Sequence, residues 1–354
     1  MPLLTEPIGS IPRPPALIEG IEAFAAGRLS RGELDALYRT TVIDTIRLFE
    51  ATGSPVITDG EQTKPSFATY PIHGLGSLAP DGVVITFADG HVRQLPRLTA
   101  GPFRYTTYAD EYLEVARRHA RVPVKQAVIS ASALSLLYPH DGIEGSSREA
   151  FIEDLLRENE ADIRRCLQKG AHAVQIDFTE GRLAVKLDPT GTLLKSFIHL
   201  NNRVLDRFSV EERRRIGVHT CPGGDRDSTH SADVDYVELL PSLFTLRVGQ
   251  FYVQLASERD RARVLRTIKE QLKPGQRVFV GVTDAINPRV ETPDEVRARV
   301  LEAAEYIPLD RLGTTDDCGF APFSDDTSTA RETAFEKIRA RVAGSALAAR
   351  ALGV

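Results

Sequence analysis

His219, Cys221 and Cys318 are the residues whose types and placing point most directly to chemistry. In Val218-His219-Thr220-Cys221-Pro222-Gly223-Gly224-Asp225, β-branched residues lead into Pro and Gly, so His219 and Cys221 fall near the C-terminal end of a short strand. Side chains two apart on a strand point the same way, which presents an imidazole and a thiol together. That is two-thirds of a zinc tripod. Cys318 is the natural third ligand, because it ends the eighth strand, which in a closed barrel faces the fifth strand of His219 and Cys221 across the mouth. Thiolates with an imidazole suit zinc, whereas magnesium and calcium want oxygen. A zinc with three protein ligands and an open position is of the catalytic type. It either activates water or holds a substrate thiol as thiolate at neutral pH. Two sulfur ligands lower the Lewis acidity of the metal and favour a bound sulfur nucleophile, and no His-Glu-x-x-His is present, so alkyl transfer to sulfur fits better than hydrolysis. Cys166 lies inside a helical pattern and reads as a structural thiol.

The elements that must position these residues alternate between strand and helix. Strands are expected at Leu3 to Gly9, Val56 to Glu61, Val124 to Ser130, Ala173 to Phe178, Ile216 to Cys221, Gln250 to Ala256, Arg277 to Asp284 and Leu312 to Cys318. Helical patterns fall at Arg31 to Thr52, Tyr108 to Ala120, Ser147 to Lys169, Leu193 to Arg207, Asp235 to Leu246, Glu258 to Leu272, Pro293 to Tyr306 and Ser328 to Val342. Phe151, Leu155, Leu156, Ile163 and Leu167 recur at helical spacing. Thr292 before Pro293 makes a capped start, and Glu258 with Asp260 gives another helix an acidic first turn. Eight strands with helices between them predict an α/β fold of the TIM (β/α)8 barrel type, as a single domain over residues 1–354. No Gly-rich phosphate loop follows the first strand, which disfavours an open doubly wound sheet. Between the second and third strands, Val83-Val84-Ile85-Thr86-Phe87, Asp89-Gly90 and Val92-Arg93-Gln94-Leu95 predict an inserted β-hairpin, which either closes the barrel mouth or makes a subunit contact.

Composition narrows the function classes. Over 354 residues the net charge is −5 with acids and bases interspersed, so nucleic acid is not an expected partner. No apolar run approaches the ~20 residues that span a bilayer, and the N-terminus lacks a signal pattern, which points to a cytoplasmic protein without a membrane partner. Three cysteines do not make a disulfide framework. In a barrel the chemistry sits at the C-terminal ends of the strands. Those ends carry Ser10; Asp59 and Glu61; Ser130 and Ser132; Asp177; His219 and Cys221; Gln254; Asp284; and Asp316, Asp317 and Cys318. So many carboxylates at one rim predict a polar site. His230, alone in a loop after Asp227-Ser228-Thr229, is a candidate proton shuttle near the zinc, although a lone loop histidine is more often simply solvated, and that is the expectation.

Five motifs in order give the chain a resemblance to the cobalamin-independent methionine synthase family, specifically its catalytic C-terminal barrel. They are Ile8-Gly9-Ser10 with Pro12, Asp59-Gly60-Glu61, Gln175-Ile176-Asp177, His219-Thr220-Cys221 and Asp317-Cys318-Gly319. The resemblance runs to about Arg339. It implies that His219, Cys221 and Cys318 bind Zn2+, that Glu61 and Asp177 hold the amino group of homocysteine, and that the loop of Ser10 holds its carboxylate. The activity implied is transfer of a methyl group onto the homocysteine sulfur, giving methionine, from a methylated folate; a corrinoid donor is a separate possibility, which would need neither a histidine nor a tryptophan at the folate site. Three features depart from the family pattern. Gln254 stands where the fourth zinc ligand is a glutamate, with Glu258 nearby as a substitute. Asp284-Ala285-Ile286-Asn287-Pro288 lacks the histidine that follows the seventh strand, and the chain has no tryptophan for the folate site, where Leu136-Leu137-Tyr138-Pro139 stands. A second resemblance is to zinc enzymes that alkylate another thiol, such as those that open epoxides with coenzyme M. Their sulfonate wants a basic pocket, for which Arg13, Lys64 and Arg289 are candidates.

Overall fold

The protein is described by a computed structural model covering residues 3–223 and 229–354. Gly224 and Asp225 of the histidine-cysteine stretch, with Asp227 and Ser228, lie outside the described residues.

The strands are, in chain order, β1 (Leu4–Thr5), β2 (Leu78–Ala79), β3 (Val84–Thr86), β4 (Val92–Gln94), β5 (Arg97–Leu98), β6 (Gln126–Ile129), β7 (Val174–Asp177), β8 (Ile216–Thr220), β9 (Gln250–Val253), β10 (Arg277–Thr283) and β11 (Leu312–Asp316). Seven of them form one parallel sheet in the order β1-β11-β10-β9-β8-β7-β6. The gap between β6 and β1 is filled by the segment expected as the second strand. Val56 to Glu61 is shorter in ladder than expected: only Ile57 pairs, by a parallel bridge to Val124. On its other side the Ile11 N–H donates to the Gly60 carbonyl at 3.0 Å and the Thr58 hydroxyl to the Gly9 carbonyl at 2.8 Å. The ring is thus a TIM barrel, closed at its second position by loop-like backbone, because Asp59-Gly60-Glu61 turns sharply there instead of continuing extended.

Helices cover the outside. In Arg148–Gln168, Phe151, Leu155, Leu156 and Ile163 are fully buried, each contributing roughly 1.5–3 kcal/mol, while Leu167 is only partly buried. The Pro293–Ala304 helix starts at a capping box of Thr292 and Glu295. Two expected helices have different bounds. Arg261–Gln271 begins at Asp260, whose side chain caps the Arg263 N–H, so Glu258 lies outside its first turn; the last helix, Arg331–Leu352, extends ten residues past Val342. Among the described residues no helix is long and apolar enough to cross a membrane.

The insertion is two antiparallel pairs. β2 pairs with β5, and β3 with β4 in the register Val84↔Gln94, Ile85↔Arg93 and Thr86↔Val92. Gly90, at φ 94°, supplies the left-handed residue that the turn requires.

Candidate metal and substrate site

Parallel register sets three residues side by side at the barrel mouth: Asp177 of β7 opposite His219 of β8, and His219 opposite Tyr252 of β9. Gly217 two residues before His219 leaves room within the barrel, since a Cβ there would lie 2.6 Å from the Tyr252 ring. His219 Nδ1 lies 3.3 Å from the Tyr252 carbonyl oxygen, and its Nε2 is buried without a hydrogen-bond partner. An Nδ1–H donated to that carbonyl leaves the Nε2 lone pair for a metal. The Cys318 thiol donates to Cys221 Sγ at 2.7 Å. The potential ligand atoms of His219, Cys221 and Cys318 all lie within 4.8 Å of one another.

Electrostatics favour a cation there. Burial works against a Cys221 thiolate, but the Cys318 thiol and the His219 ring overcome it and hold Cys221 well below the usual thiol range. Burial, with the Cys221 charge beside it, pushes Cys318 well above that range. For His219, burial is outweighed by the Cys221 sulfur and by Asp177, and its pKa is raised. A buried thiolate, a second thiol sharing its proton and an unpartnered imidazole nitrogen fit a zinc-type ion. The two sulfurs share a proton and stand closer than two ligands of one zinc, so Cys221 and Cys318 would hold such an ion only after giving up that proton and moving apart.

Cys318 is placed by its neighbour. Asp317 turns away from the cluster: its Oδ1 accepts from the Leu255 and Ala256 N–H groups at 2.9 and 2.8 Å, and its Oδ2 from the Ser257 N–H at 2.8 Å and hydroxyl at 2.7 Å. It thereby ties the end of β11 to the loop after β9. Gly281 makes this possible, for a Cβ there would meet Asp317 Oδ1 at 1.8 Å. That same loop holds Gln254 and Glu258, the two candidates for a fourth ligand. Arg182 takes both: it donates to Gln254 Oε1 at 3.1 Å and to Glu258 Oε1 at 2.9 Å, while Gln254 Nε2 donates to Ser257 at 2.6 Å. Both are committed away from the three-residue cluster.

The carboxylate pair is built differently on its two sides. Glu61 has φ 57°, a left-handed conformation that a non-glycine residue holds only when its surroundings fix it. Asp59 Oδ1 accepts the Glu61 N–H at 3.0 Å, and Lys64 donates to Glu61 Oε1 at 2.8 Å and to the Ala127 carbonyl at 3.0 Å. Asp177 is steadied from below, where Lys125 donates to Gln175 Oε1 and Gln175 Nε2 donates to Asp177 Oδ1, both at 2.8 Å. Burial, and next the nearby Glu61 charge, raise the Asp177 pKa to about 6. Two carboxylates in mutual repulsion at one cavity wall form a receptor for a cation such as an ammonium.

Ser10, Glu61, Asp177, His219, Cys221 and Cys318 line one cavity of about 590 Å³. The hairpin roofs it with Ile85, Phe87, Val92, Arg93, Gln94 and Leu95, which places it at the barrel mouth. His230 corrects an expectation: it is buried rather than solvated, lines the cavity, donates its N–H to the Pro222 carbonyl at 2.8 Å, and is driven by burial down to about 4. Asp284 and Asp316 serve local structure, Asp284 in a turn to Ile286 and Asp316 in a pair with Arg341 at 3.1 Å. Arg182 and Glu180 escaped sequence reasoning, although Glu180-Gly181-Arg182 follows a strand end whose Asp177 was already singled out.

Of Lys and Arg among the described residues, Arg93 alone lines the cavity, and it is paired with Asp325 at 3.1 Å and Asp326 at 3.2 Å. The other basic candidates are also committed. Arg13 donates to the backbone carbonyls of Glu61, Gln62, Lys64 and Phe323, Lys64 is held by Glu61, and Arg289 pairs with Glu295 at 2.9 Å.

A sequence profile described as "Cobalamin-independent synthase, Catalytic domain" matches residues 3–339. Among curated proteins, the methionine synthase of Thermococcus kodakarensis is 23% identical over 320 residues, spanning 90% of this chain and 87% of that protein. The methionine synthase of Saccharolobus solfataricus is 23% identical over 354 residues, spanning 98% and 95%. Among solved structures, a B12-independent methionine synthase from a Shewanella species, in complex with selenomethionine, superposes with a TM-score of 0.78 at 19% identity, covering 99% of each chain.

Proposed function

Because the chain belongs to the cobalamin-independent synthase family through its catalytic domain, we propose that it is a zinc-dependent methyltransferase that moves a methyl group onto the sulfur of homocysteine. The observation that carries this reading is the buried His219, Cys221 and Cys318 cluster beside the repelling Glu61 and Asp177 pair in one cavity. Zinc held by the three cluster residues supplies an acceptor sulfur kept as thiolate at neutral pH. Glu61 and Asp177 grip the α-ammonium, and the loop of Ser10, packed against Gly319, receives the carboxylate. Fixing both ends of the acceptor leaves its sulfur aimed into the apolar part of the cavity under the hairpin. There the methyl carbon of a methylated folate or a methyl corrinoid meets it for in-line attack, with water kept out by Phe87 and Leu95. A sulfonate-bearing thiol finds no uncommitted Lys or Arg among the described cavity residues, which weighs against the coenzyme M type of reaction.

Metal analysis of the purified protein tests the centre. About one zinc per chain is expected, lost in Cys221→Ser and in Cys318→Ser, and full zinc in both variants refutes it. Calorimetry on the zinc-loaded protein tests the acceptor: homocysteine binds more tightly than a thiol lacking the amine, and equal affinities remove the amino-acid thiol.

A further inference from the structure

Glu180 opens the helix Glu180–Leu187, three residues beyond Asp177, and its buried side chain lines the cavity. Its Oε1 accepts hydroxyl bonds from both Ser130 and Ser132. Each hydroxyl is itself oriented from behind. Ser130 Oγ accepts the Ala133 N–H at 3.1 Å, and Ser132 Oγ accepts the Asn201 amide at 2.7 Å, so both hydroxyl hydrogens are directed at Glu180. Glu180 Oε2 is buried with no partner at all. An ionised carboxylate leaves a bare partial charge there, which burial penalises strongly. A neutral acid with Oε1 already accepting twice carries its proton on Oε2.

We propose that Glu180 is the acid that protonates the leaving heteroatom of the alkyl donor. This rests on the alkyl-transfer reading of the same cavity. As the acceptor thiolate forms its S–C bond, the bond from that carbon to the donor heteroatom breaks and its electron pair goes to the heteroatom. The heteroatom takes the proton from Glu180 Oε2, and the resulting carboxylate is held by the two serine hydroxyls. The donor class implied has a leaving nitrogen or oxygen basic enough to need a proton.

Protonation near neutrality agrees with the surroundings. Burial pushes Glu180 up to about 7, the Ser130 and Ser132 bonds offset only part of this, and the Asp177 charge from β7 adds to the rise. Ser130, Ser132 and Asn201, which pack on it from the other elements, are neutral. The other titratable groups of the cavity are less suited: His230 is held near 4 and so has no proton to give at pH 7, while Asp177 and Glu61 face the acceptor side.

Two measurements on the zinc-loaded full chain test this. Buried Asp162 and Asp317 are also raised, to about 6 and about 7, so carbonyl-stretch infrared difference spectra between pH 5 and 9 are compared between proteins. One buried carboxylic acid component present in the unaltered protein and in Asp177→Asn should be missing from Glu180→Gln, and spectra of Glu180→Gln identical to those of the unaltered protein overturn the proposal. Methylation of homocysteine is then compared with 5-methyltetrahydrofolate, whose leaving amine needs a proton, and with iodomethane, whose iodide needs none. Glu180→Gln should slow the first by roughly 10²–10⁴-fold and the second by less than about threefold. Equal slowing of both donors, or of neither, overturns it. If iodomethane methylates the thiol in both proteins while their spectra are identical, thiol activation stands and only the role of Glu180 falls. Transfer from neither donor by the unaltered protein overturns the alkyl-transfer reading and the proposal with it.

Discussion

Lys64→Met isolates the buried ion pair that Lys64 makes with the cavity carboxylate Glu61. Lys64 and Glu61 are 1% and 4% exposed and 2.8 Å apart, which at an effective dielectric of about 20 is a gross attraction of about 6 kcal/mol. Methionine keeps much of the aliphatic stem beside Tyr70 but removes the charge, leaving Glu61 buried near Asp59 and Asp177. Removing one partner of a buried ion pair leaves the other charge uncompensated, which costs about 3–5 kcal/mol. Lys64→Met should therefore lose about 3–5 kcal/mol at pH 7. The pair replacement Glu61→Gln with Lys64→Met should recover most of the loss, because no buried charge is then left unpaired. Urea unfolding followed by far-UV circular dichroism measures both variants. A loss below about 1 kcal/mol in Lys64→Met, or a double variant no more stable than the single one, refutes the reasoning.

Asp317→Asn should replace one carboxylate oxygen by an amide NH2 and leave one or two of the facing backbone N–H groups unpaired, costing about 1–6 kcal/mol, and should weaken zinc binding 10–100-fold through Cys318; competition with a chelator reads the second effect. Asp177 gives the metal-free protein a pH signature. Its folded pKa of about 6 lies above the unfolded value of about 3.9, so the folded state binds the extra proton between them. Its contribution is therefore most favourable below about pH 4 and falls by up to about 3 kcal/mol as pH rises through 6. Asp177→Asn should flatten that part of the stability profile, and an unchanged slope in the variant contradicts the assignment.

The barrel and the grouping of His219 with Cys221 were legible because strand periodicity is local and because the two sit two apart at a strand end. The second barrel strand was legible in composition but not in extent, since Gly60 and Glu61 both turn left-handed and end the ladder after Ile57. Gln254 shows the limit of reading one position by its type. Its side chain is fixed by Arg182, seventy-two residues earlier in a helix that follows another strand. Nothing in the neighbourhood of Gln254 in sequence announces that partner. His230 was misjudged for a related reason: loop residues are usually solvated, but here the hairpin comes down on it, with the Ala88 N–H donating to the Thr229 carbonyl at 2.7 Å and Phe87 edge-on to the His230 ring at 5.9 Å.

That hairpin divides the labour of the cavity between two kinds of backbone. The groups assigned to metal and acceptor stand on strand ends and on the short turns of Ser10 and Glu61 that complete the ring, whereas residues 82–95 supply the opposite wall from a single excursion between two barrel strands. A ladder of three residue pairs is weak by itself, so the wall depends on where it docks, and Arg93 stacked 3.8 Å over Phe323 is one such anchor. Exchanging the excursion while keeping its two ends and that anchor changes which electrophile fits without moving a sulfur ligand. In this architecture the choice of donor can diverge between relatives while the acceptor half stays still.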